Sequence, residues 1–332
     1  MPEVKLKDIA DEIGVSTVTV SNALSGKKGV SDGMRSRIEA VARKMGYNVD
    51  RYTRKEEGGF RVGVLVADIY IEVGNSFYWA LYQQLAYAAS KSQSVTMLEV
   101  LDSELQRSKE LPRMLQEKAV DGMIIIGWLF RPYIENLVSH AGVPIVLLDF
   151  AVKGLPCDAV LSSNYIGMYK MVRYLLSKGH RDIAYVGSRF ANENIMDRYY
   201  GYRKALMEEN IRFRKEWVLE DRDLITGEVR ISLPENMPTA FACNSDLTAS
   251  RLYDLLREQG YRIPEDVSIV GYDNYLIHSF ASSLTTYNVD MKRMASIALK
   301  LLLGKIRGVE KNYGIRYIDS VIIERNSVKE LR

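Results

Sequence analysis

The sequence predicts an all-α unit of helix-turn-helix spacing, followed by an α/β core of two doubly wound parallel-sheet lobes. Three observations predict it. The first 47 residues hold three short stretches of helical period. Residues 48–60 lose almost all apolar period. Beyond them, short β-branched runs alternate with amphipathic stretches, the pattern of parallel strands with helices on both faces. About 270 residues of this pattern are too many for one doubly wound sheet of ordinary size, so two lobes are expected.

The elements follow in order. Leu6, Ile9, Ala10 and Ile13 recur at helical spacing, and Gly14 is a natural stop. Ser16 is a natural N-cap for a second helix over 17–24. Ser31 can cap a third, whose Met34, Ile38, Val41, Ala42 and Met45 form a stripe before Gly46. The polar run Asn48 to Arg61, with Gly58 and Gly59, reads as a linker. Strands are expected over 62–67, 95–100, 123–126, 145–148, 183–186, 240–243, 268–270 and 319–324, with helices such as 78–90 and 166–177 between them.

Composition narrows the function. A net charge of +3 over 332 residues looks near neutral. Residues 1–55, however, carry eleven Lys and Arg against seven Asp and Glu, whereas the rest carries 34 against 35. The positive excess therefore sits in the first unit, which directs attention to nucleic acid there. No stretch reaches about 18 uncharged apolar residues, so no membrane span is expected. The start has no apolar core of a secretory leader, which fits a cytoplasmic protein. Cys157 and Cys243 lack metal-ligand spacing and read as small buried apolar residues. His140, His180 and His278 form no ligand pair. No phosphate-cradling glycine loop and no nucleophile elbow occurs, so no cofactor, metal or catalytic residue is assigned.

Helix, turn and helix in under 20 residues is the spacing of a DNA reader. In the second helix Val20, Ala23 and Leu24 face inward, leaving Thr17, Val18, Ser21 and Asn22 outward. Asn22 can pair with adenine, Thr17 can hydrogen-bond or touch a thymine methyl, and Val18 suits a thymine methyl. Thr17, Val18 and Asn22 are the expected base contacts. Lys5, Lys7, Lys27, Lys28, Arg35, Arg37 and Arg51 surround this face and can meet phosphates. Ser16, Thr19, Ser21 and Ser31 add short hydrogen bonds, and Leu6 and Tyr47 complete the expected phosphate contacts. A small helical bundle for protein contact is the bland alternative.

The N-terminus resembles LacI/GalR-type bacterial transcriptional regulators, whose pattern is D-[IV]-A-x-x-[AI]-G-V-S-x-x-T-V-S. Asp8-Ile9-Ala10, Gly14-Val15-Ser16 and Thr19-Val20-Ser21 match it. Later matches are colinear: Gly46-Tyr47, Arg61 to Val64, Asp121 to Ile124, Lys178 to Ile183, Arg198 with Gly201-Tyr202, Ile263 to Asn274, and Leu284 to Thr286. The resemblance implies a DNA-binding headpiece over residues 1–47, a linker or hinge over 48–60, and a periplasmic-binding-protein-like core over 61–332. It implies an N-lobe of about 61–162 plus 291–322 and a C-lobe of about 163–290 plus 323–332. It also implies a homodimer on a palindromic double-stranded operator, switched by a small effector between the lobes. The core leaves no room for an added tail helix, so assembly should stop at the dimer. Two departures stand out. Asn22 replaces a usual Arg, so no operator sequence carries over. Glu56 stands where a hinge-helix leucine would wedge into the minor groove, and Gly58-Gly59 disfavours helix, so little hinge helix is expected.

Parallel α/β lobes bind ligands beyond the C-terminal ends of their strands. Asp149, Arg198, Asp246 and Asp273 match positions the family uses for effector, and Phe77 and Tyr78 match its first-loop aromatic pair. Trp128, at a strand end, is a further ring. Arg222 stands where sugar-binding members often place Trp, so Trp128 or Trp79 would supply the platform. Carboxylates, arginines and rings suit a sugar; a purine or other metabolite acting as corepressor is the alternative. A sugar-transport protein would reverse the pattern, with a leader and no helix-turn-helix. An enzyme would need a nucleophile–base pair that the sequence does not place.

Overall fold

The computed structural model describes residues 4–24, 29–47, 49, 59–71, 76–223, 228–275, 279–309 and 313–331. The expectations for Lys27, Lys28, Arg51 and a linker without a hinge helix lie outside the described residues. Three helices open the chain: α1 (Leu6–Ile13), α2 (Thr17–Leu24) and α3 (Asp32–Lys44). Gly14 stops α1 at φ +77°, its N–H bonded to the Ala10 carbonyl at 2.9 Å. That left-handed turn strains any residue with a Cβ. Ser16 Oγ accepts the Thr19 N–H at 3.0 Å and so caps α2 as expected. Ser31 precedes α3 but makes no side-chain cap, which corrects that expectation. Ile9, Val20, Leu24 and Ile38 close the headpiece core.

The core holds two six-stranded sheets. The first contains β1 (Arg61–Ala67), β2 (Val95–Leu101), β3 (Gly122–Ile126), β4 (Ile145–Leu148), β5 (Asp158–Ser162) and a late strand, β11 (Ile315–Ile318). Its order is β11-β5-β4-β3-β1-β2, and every pairing is parallel. The second contains β6 (Ile183–Val186), β7 (Val218–Leu219), β8 (Ala240–Cys243), β9 (Ser268–Asp273), β10 (Thr285–Asn288) and β12 (Ile322–Ile323). Its order is β12-β10-β9-β8-β6-β7, parallel except for β10–β12. The central strands are unbroken apolar runs because both faces are covered; β3 is buried throughout.

The connecting helices include α4 (Phe77–Lys91), α5 (Ser103–Ser108), α6 (Arg113–Gln116), α7 (Arg131–His140), α8 (Asn164–Ser177), α9 (Glu193–Glu208), α10 (Asp246–Glu258) and α11 (Met291–Ile306). The chain passes between sheets after β5, between β10 and α11, and between β11 and β12. Four strands were not expected: β7, which is only two residues long, and β5, β10 and β11, which carry polar residues, such as Asp158 and Ser162 or the Thr285-Thr286 pair, that hide an apolar run. The expected strand over 319–324 shrinks to Ile322–Ile323. No helix among the described residues is long and apolar enough to cross a membrane.

Candidate functional site

The ends of β4 and β9 and the first turns of α8 and α9 meet between the sheets. Asp149 directly follows β4, at φ +69° and 2% exposed. Asn194, in the first turn of α9, donates through Nδ2 to the Asp149 carbonyl at 2.8 Å and to Oδ2 at 3.1 Å. These bonds join the two lobes. The other carboxylate oxygen, Oδ1, is buried without a hydrogen bond of good geometry, while the Tyr78 hydroxyl approaches the carboxylate. Burial pushes the Asp149 carboxyl up to about 6, with the Arg198 charge opposing.

The network continues through α8 and α9. Asn194 Oδ1 accepts from Asn164 Nδ2 at 3.0 Å, and Asn164 Oδ1 accepts from Arg198 Nε at 2.8 Å. Arg198 donates Nη1 to the Asn244 carbonyl, lies 3.7 Å from Asp273 Oδ1, and stacks 3.8 Å from the Tyr272 ring centre. It belongs to the second turn of α9. Burial drives the Asp273 carboxyl well up; Arg198 opposes this, and Asp246 and Asp149 add to it. Asp273 also closes β9 at φ +119°, a backbone setting rare for an L-residue.

Asp246 and Arg222 adjoin this network but are engaged elsewhere. Asp246 Oδ1 accepts from Thr286 Oγ1 at 2.6 Å and Oδ2 from the Tyr275 N–H at 2.8 Å. It ties α10 to β10, while Ser245 performs the helix capping. Arg222 grips Asp221 through Nε at 3.1 Å and Nη2 at 2.6 Å. Asp221 is fully buried and also accepts from the Ser188 N–H, Asn244 Nδ2 and Thr248 Oγ1 at 2.6–2.7 Å. Burial alone would raise its carboxyl, but Arg222 and these donors outweigh it and hold the group far below the usual range.

The rings come from the first sheet. Phe77 and Tyr78 begin α4, which Ser76 caps by accepting the Trp79 N–H at 3.1 Å. The Tyr78 ring lies 4.4 Å from Tyr70 and 5.3 Å from Phe77. Tyr70 and Tyr78 both feel the Asp149 charge; burial first, then Asp149, pushes the Tyr70 hydroxyl up to about 12. Gly127, at φ +71°, lets Tyr70 lie close, since a Cβ there would fall 2.9 Å from its ring. Trp128 packs at 5.2 Å on Phe150, and its Nε1 is buried without a partner. Trp79, the other expected platform, packs on Tyr82 at 5.3 Å. Tyr70, Asn164, Asn194 and Asp221 are not among the residues expected from the sequence. Asn194 had a signal: it lies four residues before Arg198, on the same helix face.

In the headpiece Thr17 and Val18 are exposed, Val18 at 65%. Asn22 and Ser21 are half-buried on α2. Several expected phosphate contacts already have intramolecular partners. Ser16 Oγ and Thr19 Oγ1 lie 2.9 Å apart, and Arg35 Nη1 donates to the Ala23 carbonyl at 3.1 Å, tying α3 to the end of α2. Leu6 and Tyr47 pack against the headpiece core. For Leu6 it is the backbone N–H, at the start of α1, that suits a phosphate.

Known proteins carry both parts. Residues 5–50 match the model for bacterial regulatory proteins of the lacI family, and residues 172–328 match the periplasmic binding protein-like domain. The chain is 28% identical over 335 residues to the HTH-type transcriptional repressor PurR of Vibrio campbellii, covering 98% of this chain and 99% of the relative. It is 27% identical over 336 residues to the ribose operon repressor of Haemophilus influenzae, with the same coverage. The solved complex of transcriptional regulator CelR with cellobiose superposes at a TM-score of 0.69 and 22% identity, covering 98% of this chain and all of that one. Headpiece, two-sheet core and these matches agree: the chain belongs to the LacI family of bacterial regulatory proteins and is a DNA-binding transcriptional repressor switched by a small effector.

Proposed function

We propose that this repressor is induced by a sugar bound between the two sheets, beside Asp149, Arg198 and Asp273. The observation that carries the reading is the pair of buried orphan atoms beside Tyr70: an acceptor, Asp149 Oδ1, and a donor, Trp128 Nε1. A buried polar atom left unpaired costs about 1–3 kcal/mol, and a hydroxyl, which both donates and accepts, satisfies either. Phe77 and Tyr78 offer faces for a pyranose ring. Arg222 and Asp246 shape the wall through their own partners. CelR in complex with cellobiose and a ribose operon repressor are relatives whose names fit a sugar. The second reading, a purine or other metabolite as corepressor, rests on the clustered rings of Tyr70, Tyr78 and Phe77.

On the DNA side Thr17, Val18 and Asn22 read bases. Arg51, the Leu6 backbone, Ser16, Thr19, Ser21, Ser31, Arg35 and Tyr47 line the phosphates. A homodimer places two headpieces on a palindrome. Val95, Met97 and Val100 on edge strand β2 are exposed apolar residues that a second copy would cover. The ligand acts by differential affinity for two lobe arrangements, without turnover.

A thermal-shift screen with mono- and oligosaccharides, nucleobases and sugar phosphates tests this. A ligand at 100-fold over Kd adds about 2.7 kcal/mol. A shift with a sugar, followed by operator release, is the expected result. A shift with purines alone would overturn it.

A further inference from the structure

We propose that the groove between α4 and α11 docks an acidic amphipathic helix of a partner protein. The groove encloses about 520 Å³. Ala88, Leu299 and Leu303 give it an apolar floor, while Lys91, Lys300 and Arg307 stand exposed on its rim. Neither helix holds a single Asp or Glu along its length, in a chain with 42 carboxylates. Lys305 of α11 is turned instead to the buried Asp158, at 2.9 Å. Among the described residues none of the three rim cations forms an ion pair. Two of them rest on rings: Lys91 lies 4.5 Å from Tyr87, and Arg307 lies 5.4 Å from Phe60.

Charge and shape together select the occupant. A recessed apolar floor suits leucine-like side chains, which a nucleic-acid backbone does not offer. The cationic rim suits carboxylates flanking that stripe, the helix-in-groove mode of recognition. A second copy of the same groove would oppose six like charges, which costs affinity. The groove also has a route to the DNA-binding unit. Arg307 lies over Phe60, where the linker joins β1, and the Phe60 carbonyl accepts the Val95 N–H at 3.0 Å. An occupant that engages Arg307 therefore acts at the junction between core and headpiece. This input is separate from the effector cleft and does not depend on the effector's identity.

The test uses the full chain and a fluorescent synthetic helix with a leucine stripe flanked by glutamates, beside the same helix with lysines for the glutamates. The glutamate helix should bind, weaken with added salt, and lose about tenfold or more against Lys300→Glu/Arg307→Glu. Lys91→Glu alone should weaken it by a smaller factor. These side chains are exposed, so circular dichroism and operator binding without peptide should match wild type. Equal binding by the variants, or by the lysine helix, overturns the proposal. Displacement of the helix by random-sequence duplex would make the groove a DNA surface instead. Dissociation of the dimer in the variants would make it a self-interface, and either outcome also overturns the proposal.

Discussion

Asp149 is a carboxylate buried at a cost. Its carboxyl is pushed up to about 6 by desolvation, and one oxygen makes no hydrogen bond of good geometry. The native state therefore binds a proton more readily than the unfolded chain, whose aspartate titrates near about 4. This contribution is fully present below the unfolded value and fades as pH rises through about 6. At neutral pH the charged form costs on the order of 3 kcal/mol. His180 opposes it, since burial lowers its pKa and its stabilisation fades as pH falls. The difference between wild type and Asp149→Asn isolates the Asp149 share. The amide should melt higher at pH 8 and lose that advantage by pH 4, as followed by calorimetry. An identical pH profile in both proteins would show that Asp149 is not held in an unfavourable setting. Sugar affinity should fall in the same variant, because the orphan acceptor becomes part of a neutral amide.

Among the elements, α2 has one buried face and one exposed face, the one proposed to read bases. Val20, Ala23 and Leu24 are buried, whereas Val18 is 65% exposed. Ser16→Ala should cost the headpiece about 1 kcal/mol by removing its cap, read as a lower headpiece melting temperature. Asn22→Ala should cost about 1–3 kcal/mol of operator affinity and relax preference at one base position, measured by competition among duplexes. A uniform loss across all sequences would move Asn22 to a structural role. In the core, α8 and α9 touch closely at Gly201, where a Cβ would meet the Tyr165 carbonyl at 2.2 Å. Gly201→Ala should cost about 1–3 kcal/mol in denaturant melts, because the helices must separate. The helices of the headpiece and the central strands were legible because each is a clean period or an unbroken apolar run. β5, β10 and β11 were not, because Asp158, Thr285, Thr286 and Arg316 break the run for reasons that only pairing reveals. The same limit applies at the site. Asp149, Arg198 and Asp273 were readable as strand-end or motif residues. The bond of Asn194 to Asp149 depends on lobes that only the fold brings together, and the Asn194–Asn164 bridge on two helices that only the fold packs side by side.

For the whole molecule, the near-neutral net charge of +3 conceals a basic first unit and a slightly acidic remainder. Operator affinity should therefore fall steeply with salt, as counterion release requires, while effector affinity should be nearly flat. Titrations over a range of salt concentrations would show both, and parallel slopes would contradict this division of labour. In the proposed division of labour, Arg198 and its network read the effector while α2 reads the DNA. The most direct test is fluorescence anisotropy of a selected operator duplex bound to wild type or Arg198→Ala, titrated with the sugar found by thermal shift. Operator affinity should be equal in both proteins, with release by the sugar from wild type and no release from the variant. Loss of operator binding in the variant, or its release by the same sugar, would contradict it.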